Sequence, residues 1–91
     1  MKLSDTVTIP AQVMARVVGD ETVILDLASG TYYGLDTVGA RIWQLMAEGQ
    51  TLVQVCEAML AEYEVTREDI ERDVAALAQT LLEKNLVSIG S

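Results

Sequence analysis

The sequence contains no histidine and no phenylalanine, and only one cysteine, one proline and one tryptophan in 91 residues. Without histidine the chain lacks the usual general base, the commonest metal ligand and any Ser-His or Cys-His pair. The single Cys56 excludes an internal disulfide, fits a reducing cytoplasm and is expected to be a small buried residue. No glycine pattern resembles a phosphate-binding loop. We therefore expect a cytoplasmic protein that is not an enzyme and holds no metal and no cofactor.

Basic residues and long apolar runs are also scarce. Six Lys and Arg stand against fourteen Asp and Glu, which gives a formal net charge of −8. A domain that binds nucleic acid needs a basic face, and six scattered cations do not supply one. The longest apolar run has five residues, from Val74 to Ala78, and the first ten residues lack the apolar stretch of a signal peptide. We therefore expect neither nucleic acid nor a membrane as a partner.

What the chain does contain is 51% apolar and 22% charged residues, which predicts one folded domain over 1–91. The front half reads as a sheet over 6–35. The segments "VMARVV" (13–18) and "TVILDL" (22–27) are β-branched and aliphatic, and Gly19-Asp20-Glu21 between them suits a hairpin. "TYYGL" (31–35) then predicts a third strand in meander order. "TVTI" (6–9) and "LVSI" (86–89) are candidate short strands, the second equally an extended tail.

The back half, 36–85, predicts a bundle of three helices with clear start signals. Asp36 is a plausible N-cap for a helix that ends near residue 48. Thr51 with Gln54 forms a capping-box pattern that opens a second helix. Thr66 with Asp69 resembles another box and opens a longer helix that ends near residue 84. The predicted fold class is therefore α+β.

The third helix has a wide apolar surface. At 100° per residue its apolar positions cover an arc of roughly 160°, whereas a surface helix that faces one core needs about 100°. The surplus lies around Ala75, Ala78 and Leu82, where two alanines beside a leucine leave a shallow apolar furrow. Complete burial of the helix explains the surplus equally well, so both interpretations stay open.

The third strand is the candidate binding element. Alternation sends Tyr33 with Thr31 and Leu35 to one face and Tyr32 with Gly34 to the other, so one ring faces the helices and one lies near the surface. A glycine inside a strand often marks a close approach of another backbone. The third strand of a meander is an outer one, and its free edge is a template for an added peptide. The opposing interpretation is that the rings fill the core and the amino-terminal segment or the tail covers this edge.

With these residues assembled, the chain resembles the PqqD-like family, the peptide-binding domains called RiPP recognition elements. The resemblance spans nearly the whole length, and it depends on the order and spacing of several short motifs. These motifs are Leu25-Asp26, Gly30 to Leu35, Gly39 to Trp43, and Gly49 to Thr51. The resemblance implies a winged-helix-like fold, in which a three-stranded antiparallel amino-terminal sheet packs on three helices.

The resemblance also implies a function. Such domains hold the leader of a ribosomally made precursor peptide as an added strand against the third strand, packed towards the third helix. Carried over by position, the strand contacts map to 31–35 and the helix contacts to the stretch 70–82. The implied contact residues are Thr31, Tyr32, Tyr33, Gly34, Leu35, Ile70, Asp73, Val74, Leu77, Ala78, Leu81 and Leu82.

Several functional hypotheses follow. The resemblance favours the stand-alone leader-binding protein of a lasso peptide pathway, which presents its precursor to a separate leader peptidase or another modifying enzyme. The alternative within the family is a pyrroloquinoline quinone (PQQ) pathway chaperone that presents its precursor to a radical enzyme. A rival hypothesis from another class is a winged-helix regulator that binds DNA. The net charge of −8 argues against DNA binding. A structural dimer that pairs through the same strand edge is the other rival.

Overall fold

In the computed structural model, which describes residues 2–90, a three-stranded antiparallel sheet is followed by three helices, as predicted. A separate two-stranded sheet joins the two ends of the chain. The elements are β1 (Thr6–Thr8), β2 (Val13–Val18), β3 (Glu21–Asp26), β4 (Tyr32–Leu35), α1 (Thr37–Ala47), α2 (Leu52–Glu62), α3 (Arg67–Glu83) and β5 (Ser88–Gly90). The α+β class is therefore confirmed. Among residues 2–90 no helix is both long and apolar enough to cross a lipid bilayer.

The main sheet has the predicted meander order β2-β3-β4. Its hairpin loop is one residue shorter than expected, because Glu21 belongs to β3 and pairs with Val18. The remaining two-residue loop has Gly19 at a φ of 62° and Asp20 at a negative φ, which is the pattern of a type II′ turn. A two-residue loop leaves no slack, so it sets the register of the whole β2–β3 pair.

The predicted helix starts are confirmed by their caps. Asp36 Oδ1 accepts the Gly39 N–H at 2.8 Å at the start of α1. At the start of α2, Thr51 Oγ1 accepts the Gln54 N–H and Gln54 Oε1 accepts the Thr51 N–H, which completes a capping box. Thr66 caps α3 in the same way as Asp36 caps α1. Each cap satisfies backbone donors that a helix terminus would otherwise leave without partners.

The core lies between the inner face of the sheet and the helices. Ile24 and Leu35 enter it from the sheet, and α2 and α3 supply most of the remaining fully buried side chains. On α3 the buried positions recur at helical spacing; they are Ile70, Val74, Ala78 and Leu81. Cys56 is buried in the same cluster, as expected. For Ala78, therefore, the wide apolar arc of α3 reflects burial and not an open furrow.

The two chain ends pair with each other and not with β4. Both candidate short strands form: β1 and β5 are antiparallel, with Val7 opposite Ile89. The amino-terminal segment is also tied to the start of α2, because the backbone N–H groups of Leu52 and Val53 donate to the carbonyls of Asp5 and Leu3. Within residues 2–90, β4 pairs only with β3. The outer edge of β4 is therefore uncovered in this part of the chain.

Candidate functional site

The hydrogen-bond pattern of the sheet shows which backbone groups β4 presents at its free edge. Asp26 N–H donates to the Thr31 carbonyl at 2.8 Å, so these two residues occupy a hydrogen-bonded position of the ladder. Such positions recur every second residue in an antiparallel pair. In the observed register Tyr33 and Leu35 therefore bond inward to β3, opposite Ile24 and Thr22. The N–H and C=O groups of Tyr32 and Gly34 point outward, away from β3.

The two tyrosines of β4 have different environments, as their alternation predicts. Tyr33 is partly buried and packs against the core from the helix-facing side. Tyr32 lies on the opposite face with 71% of its surface exposed. Gly34 shares that face, and a Cβ built there meets nothing closer than Glu21 Oε2 at 3.7 Å. In the free chain, therefore, a side chain at position 34 would meet no steric obstacle.

A cleft of about 410 Å³ opens beside the free edge of β4. Its walls come from three elements: the strand itself, the first turns of α1 and the middle of α3. The lining residues are Tyr33, Gly34, Leu35, Asp36, Val38, Gly39, Ile42, Asp73 and Leu77. The strand and the third helix, which the sequence predicted as two walls of one groove, thus do meet at a single cleft.

The side of α3 that faces the cleft differs from the predicted furrow. Asp73 and Leu77 line the cleft, and Lys84, eleven residues after Asp73 and so on the same helical face, places its Nζ 5.6 Å from the centre of the Tyr33 ring. Four of the predicted helix contacts instead have buried side chains in the core: Ile70, Val74, Ala78 and Leu81. These four offer no surface to a ligand in this conformation. Leu82 is partly buried against the core and does not line the cleft.

Four cleft residues were absent from the sequence-based set because they belong to the start of α1: Asp36, Val38, Gly39 and Ile42. A signal for them exists, since α1 begins directly after β4 and its first turn must lie beside the end of the strand. Gly39 makes this turn tight: a Cβ there would lie 3.2 Å from Asp36 Oδ1 and 3.3 Å from Leu35 Cδ2. The glycine therefore keeps the first turn of α1 close to the strand.

The β3–β4 turn explains the Leu25-Asp26 motif physically. Asp26 is buried, and its Oδ1 accepts the N–H groups of Ala28 and Ser29 at 2.8 and 3.2 Å. Its backbone carbonyl also accepts the N–H of Gly30, which has a φ of 77°. The Asp26 carboxylate thus holds the turn that connects β3 to β4.

We expect Asp26→Ala to lower the free energy of unfolding by about 1.5–3 kcal/mol, the usual range for hydrogen bonds to a charged group. Urea unfolding followed by circular dichroism measures this change. Ser29→Ala is the comparison variant: the Ser29 hydroxyl bonds to Thr31 in the same loop, but these bonds are exposed, so we expect their loss to cost less. An Asp26→Ala protein as stable as the parent would show that the carboxylate does not hold the turn.

The chemistry available at the site is that of binding. The edge supplies alternating N–H and C=O groups, and the cleft supplies apolar side chains with the carboxyl groups of Asp36 and Asp73 at its wall. Burial raises the pKa of the Cys56 thiol above its ordinary value, so this lone thiol stays protonated near neutral pH. An open strand edge beside an apolar cleft fits an extended peptide.

Comparisons with known proteins agree with this geometry. Residues 21–87 match the family described as coenzyme PQQ synthesis protein D (PqqD). One similar solved structure is TbiB1 in complex with the TbiA(beta) leader peptide; it is 41% identical, with a TM-score of 0.80 over 88% of this chain and 93% of that one. Another is a lasso peptide synthetase B1 complexed with the leader peptide; it is 32% identical, with a TM-score of 0.81 over 89% and 95% of the two chains.

A comparison with curated proteins found no match to the chain. The family match nevertheless covers most of the sequence, from the first residue of β3 to the residue before β5. It includes β4, the start of α1 and the whole of α3, so every wall of the cleft lies inside it. The chain belongs to the PqqD family.

Proposed function

We propose that this protein binds the leader segment of a ribosomally made precursor peptide as an additional strand on β4. The observation that carries the proposal is the uncovered edge of β4, where Tyr32 and Gly34 direct their N–H and C=O groups away from β3. A strand added at this edge pairs through the main chain, which supplies affinity with little dependence on sequence. Open sheet edges are otherwise a liability that folded proteins tend to cover.

Selectivity comes from the cleft beside that edge. Successive side chains of an added strand point to opposite faces, so every second leader residue faces the helix side and reaches the cleft. There Leu77 and Val38 offer apolar contacts, and the buried Ile42 forms the floor of the cleft. The proposed contact set is therefore Thr31 to Leu35 on the strand side, with Asp73 and Leu77 on α3. The four core residues of α3 support these contacts from beneath.

A lasso peptide pathway is the favoured setting. The structure at 32% identity is a lasso peptide synthetase B1 with its leader peptide, and TbiB1, at 41% identity, is likewise in complex with a leader peptide; both are covered over more than nine-tenths of their length. In this proposal the chain is non-catalytic, works in the cytoplasm and presents the core peptide to a separate leader peptidase or another modifying enzyme. The family description favours a second candidate, a chaperone in PQQ synthesis. Binding assays with a lasso leader and a PQQ precursor distinguish the two.

The edge can be tested with one substitution. Gly34→Pro removes an outward N–H and leaves the β3–β4 ladder bonds in place, whereas Pro at Tyr33 would remove a bond to β3. We expect Gly34→Pro to raise the dissociation constant for the leader about tenfold, because one hydrogen bond is lost and the ring obstructs the edge. Isothermal titration calorimetry with a synthetic leader peptide of a lasso precursor measures the change.

Val17→Pro is the matched control, because its N–H points away from β3 at the opposite edge of the sheet. We expect this variant to bind the leader like the parent. Unchanged affinity in a folded Gly34→Pro protein would place the leader elsewhere. An electrophoretic mobility assay with duplex DNA tests the hypothesis that the protein is a DNA-binding regulator. Salt-sensitive binding of DNA, without binding of the leader, would favour that hypothesis.

A further inference from the structure

The sheet has a second open edge, on β2. Leu27 N–H donates to the Gln12 carbonyl at 2.9 Å, which makes this pair a hydrogen-bonded position of the β2–β3 ladder. By the two-residue repeat of the ladder, Met14, Arg16 and Val18 bond to β3. Val13, Ala15 and Val17 therefore point their backbone groups outward. Of these, the Val13 N–H is already bonded to the Pro10 carbonyl at 3.0 Å.

An apolar groove of about 500 Å³ lies beside the β2 edge, on the helix side of the sheet. Small side chains on both walls keep it open: Ala15 from β2, and Ala40 and Ala47 from α1. Trp43 and Tyr63 add aromatic surface. Val17 projects over the groove with 74% of its surface exposed, although it is on the face of the sheet that carries the core. The β2 side thus repeats the combination of strand edge and cleft found at β4.

We propose that a second copy of this chain occupies the β2 edge, with β2 of the two protomers antiparallel about a two-fold axis at Ala15. The free groups of the edge match this arrangement. Each Ala15 N–H meets the carbonyl of the partner copy's residue 15, and each Val17 N–H meets the carbonyl of residue 13 in the other copy. The Val13 N–H, which would pair with residue 17, is the one donor of the edge already bonded within the chain. Two copies thereby satisfy both free donors of each edge.

The charges of the groove do not oppose a second copy, despite the net charge of −8 on each chain. Among residues 2–90 no carboxylate lines the groove, and the one charged residue that lines it is Arg41. The Arg41 guanidinium donates to both Glu62 oxygens at 2.7 and 2.8 Å, and this contact lowers the pKa of Glu62 below its ordinary value. The net charge of the Arg41–Glu62 pair is therefore zero. Repulsion between the chains acts only at longer range and is screened beyond about 8 Å at physiological salt.

The register makes a specific cross-linking prediction. Hydrogen-bonded antiparallel neighbours have Cα atoms about 5.5 Å apart, within the range of about 4.4–6.8 Å that a disulfide spans. Ala15→Cys should therefore form a disulfide-linked dimer under mild oxidation. Val17→Cys is the control: residue 17 of each copy faces residue 13 of the other, which separates the two new thiols by more than about 12 Å. The native Cys56 is buried and contributes little background.

Sedimentation velocity over a wide range of protein concentration tests the association without a cross-link. We expect a reversible monomer–dimer equilibrium for the parent chain and for Gly34→Pro. Val17→Pro should weaken dimerisation at least about tenfold, because two symmetry-related hydrogen bonds are lost. Higher salt should strengthen association of these acidic chains.

Dimerisation through β2 does not depend on leader binding at β4, so the experiments can contradict either proposal without the other. A parent chain that stays monomeric at every concentration overturns it, as does equal cross-linking of the two cysteine variants. Dissociation of the dimer by leader peptide would also overturn it, since the leader would then be the occupant of the β2 edge. Cross-linking of Ala15→Cys alone, with leader affinity unchanged in Val17→Pro, supports it.

Discussion

Leu77→Asp is expected to raise the dissociation constant for the leader between about tenfold and a hundredfold. Leu77 is the apolar residue that α3 contributes to the cleft beside β4. Removing its contact costs the burial of a large aliphatic side chain, about 1.5–3 kcal/mol when complete. The new carboxylate must also lose water when the leader strand covers the cleft, and Asp73 already places negative charge there. The loss should therefore fall on binding, because Leu77 is only partly buried in the free chain.

Fluorescence anisotropy with a labelled leader peptide measures this loss, and circular dichroism checks that the variant is folded. Leu77→Ala should show a smaller loss in the same direction. The control is Ala76→Asp, one residue earlier and exposed, which adds the same charge away from the cleft. If Leu77→Asp and Ala76→Asp bind the leader equally well, the third helix is not part of the binding site.

Ala78→Asp is expected to have the largest effect on stability. The Ala78 side chain has 0% exposure and packs between the other buried residues of α3 and the core. A carboxyl group there has neither room nor a partner, which places the substitution among those that cost more than about 4 kcal/mol. For a domain of this size that corresponds to a loss of at least about 15 °C in melting temperature. Against an ordinary stability of about 5–15 kcal/mol, a loss of this size leaves a domain at the lower end of that range only marginally folded at room temperature.

Differential scanning calorimetry measures the melting temperature, again with Ala76→Asp as the control that should melt like the parent. Loss of leader binding in Ala78→Asp would then follow from unfolding and says nothing about direct contact. The consecutive residues 76, 77 and 78 should thus give three outcomes: no effect, loss of binding and a large loss of stability. If an Ala78→Asp protein is well folded but fails to bind the leader, Ala78 contacts the leader directly, as the family resemblance implied.

Much of the binding strand could be predicted from the sequence because its signals are local. The order of β4, Asp36 and α1 rests on a turn, an alternation and an N-cap that each involve residues within four positions of one another. The helix side of the cleft could not be predicted in the same way. The apolar arc of α3 includes both buried and cleft-facing positions, and periodicity alone does not separate Leu77 from Ala78.

The sequence by itself determined the secondary structure, the helix caps, the meander and the shortage of basic residues, because each depends on nearby residues or on composition. Only the tertiary structure decided that the chain ends pair with each other and leave β4 open. It also decided which backbone groups point outward and which side of α3 borders the strand. These features arise from contacts between residues far apart in the chain, whose partners no local pattern specifies.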